Sequence, residues 1–212
     1  MIFQLDPQSV SFPDPALAEP DGLLAIGGDL RPERLVAAYR RGIFPWYDDN
    51  TPILWYSPHE RFVLRPAALK ISKSMRQVLR SGRFKVTYDE AFADVIAACA
   101  TLPRRGQDGT WITRDMRNAY TALHALGHAH SIEVWAAGQL VGGLYGIAVG
   151  PVFCGESMFS SEANASKVAL ASLCRSGTYD LIDCQVYTDH LASMGAVMIS
   201  REEYMEELIS SP

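Results

Sequence analysis

The sequence predicts an α+β fold: a mixed sheet with flanking helices, preceded by a small N-terminal α/β lobe. Three observations carry that expectation. From Phe84 onward, segments with the two-residue alternation of strands and the longer period of helices follow one another in the order β-α-α-β-β-β-α-β-α-β. Within that series, three strand-like segments at 131–135, 140–147 and 151–158 are joined by Gly-containing turns that suit hairpins. The first quarter of the chain is different, rich in Pro, Gly, Asp and aromatic residues, and reads as a lobe of its own. The expected division is a small N-terminal domain over residues 1–62 and the main domain over 63–212.

Residues 1–30 read as extended segments and turns. A helix follows, with Pro32 at its first position, Leu35, Val36 and Tyr39 on one face, and Gly42 where a left-handed cap belongs. Two proline-bracketed aromatic runs, Ile43-Phe44-Pro45-Trp46-Tyr47 and Pro52-Ile53-Leu54-Trp55-Tyr56-Ser57-Pro58, fit the core of the small lobe or a stacking surface. From Arg61 to Tyr88 there is no acidic residue, yet eight of the 19 Lys and Arg fall there. Lys73, Arg76 and Arg80 follow a helical spacing, with Ile71, Met75, Val78 and Leu79 on the opposing face and Gly82 as the cap. This basic stripe fits a solvated face; because such faces usually mix signs, it also fits contact with a polyanion.

Residues 84–87 read as a strand, Asp89 as the cap of a helix to about Thr101, and 102–110 as a polar loop. Thr113 caps a second helix, in which Met116, Ala119, Tyr120 and Leu123 share a face up to Gly127. After the three strands, Asn164 opens a helix over 165–175, followed by a strand over 181–187 and a short helix over 190–194 stopped by Gly195. A strand over 196–199 comes last, before Ser200-x-x-Glu203, which has the form of a capping box for a final helix to about Ile209.

Hydrophobic content of 48% and charged content of 20% are those of a soluble globular protein, and the net charge of -5 argues against coating nucleic acid non-specifically. No signal-like N-terminus or long apolar span is present in the sequence, so a cytoplasmic protein is expected, with neither membrane nor DNA as a partner. Cys99, Cys154, Cys174 and Cys184 have no Cys-x-x-Cys spacing and read as buried free thiols. His124 and His128 in HALGHAH have the spacing of a metal pair but lack the zincin Glu, so no metal is expected.

The chemistry concentrates between Cys154 and Gly195. In Leu181-Ile182-Asp183-Cys184-Gln185-Val186-Tyr187, alternation puts Asp183 and Gln185 on one face and Ile182, Cys184 and Val186 on the other, while Glu156 interrupts the apolar CGESMF. Two acids and an amide on one sheet fit a site; by pattern alone they equally fit a solvated strand face.

The element order after Phe84 is similar to the GCN5-related N-acyltransferase fold. The blocks FPDP, GLLAIGGDL, AYRRGIFPW, PILWYSP, AHSIEVW, GESMFS, NASK, DCQ and HLASMGA resemble the leucyl/phenylalanyl-tRNA-protein transferase family, over a stretch from Phe12 nearly to the C-terminus. The agreement is weakest in 102–109 and the short tail. That resemblance implies transfer of Leu, Phe or Met from aminoacyl-tRNA to the N-terminal Arg or Lys of a protein, which marks it for degradation. Where CoA-binding members of the fold carry a glycine-rich pyrophosphate loop, this chain reads SSEANASK, without glycine.

An ester donor and an amine acceptor make the reaction downhill, so no cofactor, ATP or metal is expected. Gln185 is expected to accept a hydrogen bond from the attacking amine, Asp183 to hold the amide's orientation and take up positive charge, and Glu156, matching the family's GESMF acid, to help seat the acceptor. No covalent intermediate through Ser157 is needed. Resemblance carries Trp46 and Trp111 over as contacts to the 3′ adenosine. Met158, Leu170, Leu173 and Ile182 are candidates for the amino-acid pocket, and equally plain core. Lys73, Arg76, Arg80 and Arg83 are expected to hold phosphates of the tRNA acceptor arm. A CoA-dependent N-acyltransferase and a non-catalytic tRNA-binding module are the rival readings.

Overall fold

A computed structural model describes residues 2–101 and 111–209, so the polar loop expected at 102–110 lies outside the described residues. The first quarter supplies β1 (Phe3–Leu5), β2 (Leu23–Gly27), α1 (Pro32–Tyr39), β3 (Phe44–Pro45) and β4 (Leu54–Tyr56). The four strands form a small sheet in the order β1-β2-β4-β3, so the extended segments of the N-terminus are paired strands. Gly42, at φ 68°, ends the turn after α1, and a Cβ there would stand 3.0 Å from Met205 Sδ.

Next comes a strand the sequence reading did not anticipate, β5 (Glu60–Leu64), which crosses the expected boundary at 62 and belongs to the larger sheet. The remaining elements follow the expected order: α2 (Lys73–Arg80), β6 (Lys85–Tyr88), α3 (Phe92–Thr101), α4 (Arg114–Ala125), β7 (Ala129–Ala136), β8 (Gln139–Val149), β9 (Val152–Ser160), α5 (Ala165–Arg175), β10 (Leu181–Gln185), α6 (Asp189–Ser193), β11 (Val197–Ser200) and α7 (Arg201–Ile209). The larger sheet has seven strands in the order β11-β5-β10-β9-β8-β7-β6. Among the described residues only its β9–β10 pair is parallel.

Strand alternation sorts the apolar side chains into two cores. Tyr145, Cys154 and Leu181 join α1, α3, α4 and α7 on one face, while Leu144, Phe153 and Ile182 join α2, α5 and α6 on the other. At Gly142 a Cβ would lie 2.5 Å from Ala165 Cβ, and its absence lets the start of α5 rest on β8. The capping box at the start of α7 is present, with Ser200 N donating to Glu203 Oε2 at 2.8 Å and Glu203 N donating to Ser200 Oγ at 3.1 Å.

Two local expectations are corrected. Asp89 does not cap α3: it sits at φ 59°, and its carboxylate accepts from Ser131 N at 2.8 Å and lies 2.7 Å from His130 Nδ1. A short acid beside an incoming strand finds a closer donor there than in the following helix. The strand expected over 181–187 ends at Gln185, whose φ of 61° turns the chain out of the sheet. Among the described residues no group of three or more His, Cys, Asp and Glu is placed to hold a metal ion, and no helix is long and apolar enough to cross a membrane.

Candidate active site

β10 and β9 run side by side only at Leu181, Ile182 and Asp183, opposite Val152, Phe153 and Cys154. Beyond that point β9 continues to Ser160 paired with β8 alone, and β10 turns away at Gln185. Parallel strands that part leave a cleft, and here it is a cavity of about 720 Å³. Residues 155–160 of β9 and 182–186 line it, together with Phe44, Pro45 and Trp46 from the small sheet and Trp111 before α4.

The structure brings together Glu156, Asp183, Gln185, Trp46, Trp111, Met158, Leu170, Leu173 and Ile182, all of which line this one cavity. Leu170, Leu173 and Ile182 form part of its apolar wall while also belonging to the core on the α5 side. Trp46 is exposed at 42% and leans on Tyr56, ring centres 5.9 Å apart. Lys73, Arg76 and Arg80 lie outside the cavity on the exposed side of α2, behind Ser72, whose hydroxyl caps the helix. Arg83 is tied down, its guanidinium 2.6 Å from Glu162 Oε2 and 5.1 Å over the Phe84 ring.

The two acids have different surroundings. Asp183 is fully buried; its carboxylate pairs with the Arg61 guanidinium and accepts from Tyr204 Oη at 2.9 Å and from Gln185 N at 2.8 Å. Glu156 is also buried, but neutral groups hold it: Tyr39 Oη at 2.7 Å and Gln185 Nε2 at 2.7 Å donate to Oε1, and Tyr120 Oη at 3.1 Å donates to Oε2. Burial pushes the Glu156 carboxyl up to about 7; the hydrogen bonds from Tyr39, Gln185 and Tyr120 pull it down, and the nearby Asp183 charge raises it.

These contacts reassign one expected role. The side-chain amide of Gln185 is oriented by Glu156, and Asp183 grips Gln185 through the backbone N–H instead. The physical reason is the irregular step after Asp183, which removes the strict alternation that would have set the two side chains side by side. With the NH₂ group tied to a carboxylate, the carbonyl oxygen of Gln185 is the atom left to accept from a molecule in the cavity.

Sequence reasoning missed Arg61, Tyr39, Tyr120 and Tyr204. Arg61 is one of eight basic residues in a stretch without acids, yet it is 1% exposed and spent on Asp183. In the sequence Tyr39 and Tyr120 share helix faces with apolar residues. A buried phenol needs a partner for its hydroxyl, and that need was the available signal.

A mixed sheet split beside an apolar cavity, with a fixed hydrogen-bond acceptor at the split, fits an acyl-transfer enzyme. The chain matches the family described as leucyl/phenylalanyl-tRNA protein transferase over residues 63–209, and the N-terminal domain of the same family over 28–59. It belongs to that family. Relatives named leucyl/phenylalanyl-tRNA–protein transferase include one from Syntrophobacter fumaroxidans, 58% identical over 96% of this chain and 88% of its own length. Another, from Yersinia pestis, is 56% identical over 98% of this chain and 89% of its own. Among solved structures the chain is similar to FemX, at 10% identity and a TM-score of 0.49 over 84% of this chain and 70% of that one.

Proposed function

We propose that the cavity is where a Leu, Phe or Met residue passes from the 3′ end of its tRNA to the N-terminal Arg or Lys of an acceptor protein in the cytoplasm, marking that protein for degradation. The observation that carries this reading is the anchored amide of Gln185 in a cavity lined by both aromatic and aliphatic side chains. Trp46 and Trp111 offer stacking faces for the terminal adenosine, and Met158, Leu170, Leu173 and Ile182 surround the donor's side chain. Such an apolar pocket discriminates by only about 1–3 kcal/mol per misplaced methylene, which suits a small set of unbranched and aromatic donors.

In this reading the neutral α-amine attacks the ester carbonyl carbon. A C–N bond forms, the C–O bond to the ribose breaks, and the amine's proton passes to the departing hydroxyl. Gln185 Oε1 accepts an N–H of the amine and aims its lone pair. At neutral pH about a tenth or more of an α-amine with pKa about 7.7–8.0 is already unprotonated, so positioning matters more than a strong base. Asp183, neutralised by Arg61, fixes the backbone of Gln185, while the Glu156 carboxylate, which has no cationic partner among the described residues, draws the acceptor's positive charge. Lys73, Arg76 and Arg80, with a lesser part for Arg83, hold the phosphates of the acceptor arm.

The test is transfer of radiolabel from Leu-tRNA to a protein beginning with Lys or Arg. Acid-stable label that depends on intact tRNA, and is missing from an Asp-initiated control, is the expected result. Retention of tRNA without transfer supports a binding module instead, and retention on immobilised CoA supports a CoA-dependent acyltransferase.

A further inference from the structure

We propose that Arg61 is a positioning residue that keys the aromatic wall of the cavity to Gln185. The inference rests on the reading of the cavity as the transfer site. Arg61 uses its whole guanidinium, in a place closed to water. Nη2 pairs with Asp183 Oδ2, Nε lies 3.4 Å from Oδ1, and Nη1 donates to Gly42 O at 2.9 Å. Its flat faces meet two rings, with its central carbon 4.8 Å from the centre of Phe44 and 4.4 Å from that of Tyr204.

These partners belong to different walls. Gly42 and Phe44 sit at the entry to β3, and Phe44, Pro45 and Trp46 line the cavity. Asp183 holds the N–H of Gln185, whose φ of 61° is one that residues other than glycine rarely adopt, so this contact helps keep the amide where it is. One cation therefore spans from the wall assigned to the donor's adenosine to the residue assigned to the acceptor's amine. A packed apolar side chain would avoid the cost of burying a guanidinium. What it would lose is the rigid, planar fork that reaches Asp183 and Gly42 together.

The test separates position from stability by steady-state kinetics on folded variants. Arg61→Lys keeps the charge, but a single ammonium cannot span both partners. Expected for it are a kcat lowered about tenfold or more and a donor KM raised about threefold or more, at a temperature where circular dichroism shows it folded. Tyr204→Phe keeps the ring against Arg61 and removes only the hydroxyl, which donates to Asp183 and lies 3.4 Å from Cys154 Sγ. For that variant, kcat falls about threefold with donor KM unchanged.

A folded Arg61→Lys whose kcat and KM stay within about twofold of wild type, even with a lower denaturation midpoint, overturns the inference. If Arg61→Lys does not fold, Tyr204→Phe decides, and an unaltered kcat overturns it. Wild-type protein that transfers nothing overturns the reading of the cavity and this role with it. Wild-type transfer with unaltered variants overturns this inference alone.

Discussion

Asp183 and Glu156 stand on adjacent parallel strands, both buried, and differ in what balances their charge. Asp183 meets a guanidinium; Glu156 meets two phenols and an amide. The first is an ion pair whose members depend on each other. The second is a carboxyl with no ion-pair partner among the described residues, pushed up to about 7 by burial and therefore able to gain or lose its proton near neutrality. Two acids lining one cavity thus serve as a fixed brace and a titratable anchor. The distinction comes from their neighbours, since the carboxyl groups themselves are alike.

The largest expected effect falls on the brace. Arg61→Met leaves the Asp183 carboxylate buried without its cation, and urea denaturation at pH 7 should show a loss of about 3–5 kcal/mol. A loss under about 1 kcal/mol would place Asp183 in the same class as Glu156 and erase the contrast.

The anchor should instead reveal itself through pH. With a folded value of about 7 against an ordinary 4.5, Glu156 keeps in the folded chain a proton that the unfolded chain releases across that window. Its contribution is therefore present below pH 4.5 and lost as pH rises to 7, a change of about 3 kcal/mol. Glu156→Gln cannot titrate, so its stability relative to wild type should rise over the same window. Parallel curves for the two proteins would show that Glu156 is as firmly ionised as an exposed acid.

The smallest effects sharpen the comparison further. Tyr39→Phe and Tyr120→Phe each remove one neutral donor from Glu156, at a cost of about 1 kcal/mol above pH 8. Because these hydrogen bonds favour the ionised form, each variant should also move the titration upward, seen as a pH window displaced to higher values.

Much of this was legible in the chain itself. The order of elements after Phe84 followed from periodicity, and the capping box at Ser200 and Glu203 formed as spaced. The residues expected around the reaction converge on one cavity because Glu156, Asp183 and their apolar neighbours lie on β9, β10 and α5, which pack together. What escaped was long-range. Arg61 finds its acid 122 residues away, Tyr39 reaches Glu156 across 117, and β5 is a short strand whose place in the sheet depends on β10 and β11. Nothing local marks a Gln that bends its strand through a left-handed φ either; the bend is held by Asp183, on the strand itself.

Tyr204 lies on α7, and its hydroxyl is one of the donors to Asp183. The same helix begins with Arg201, which donates to Pro15 O at 2.8 Å and Ser57 O at 3.2 Å, tying it to the first part of the chain. The brace beneath Gln185 is therefore closed by a helix that also grips the first part of the chain, and a fold pinned at both ends in this way reaches its full geometry only when α7 has docked.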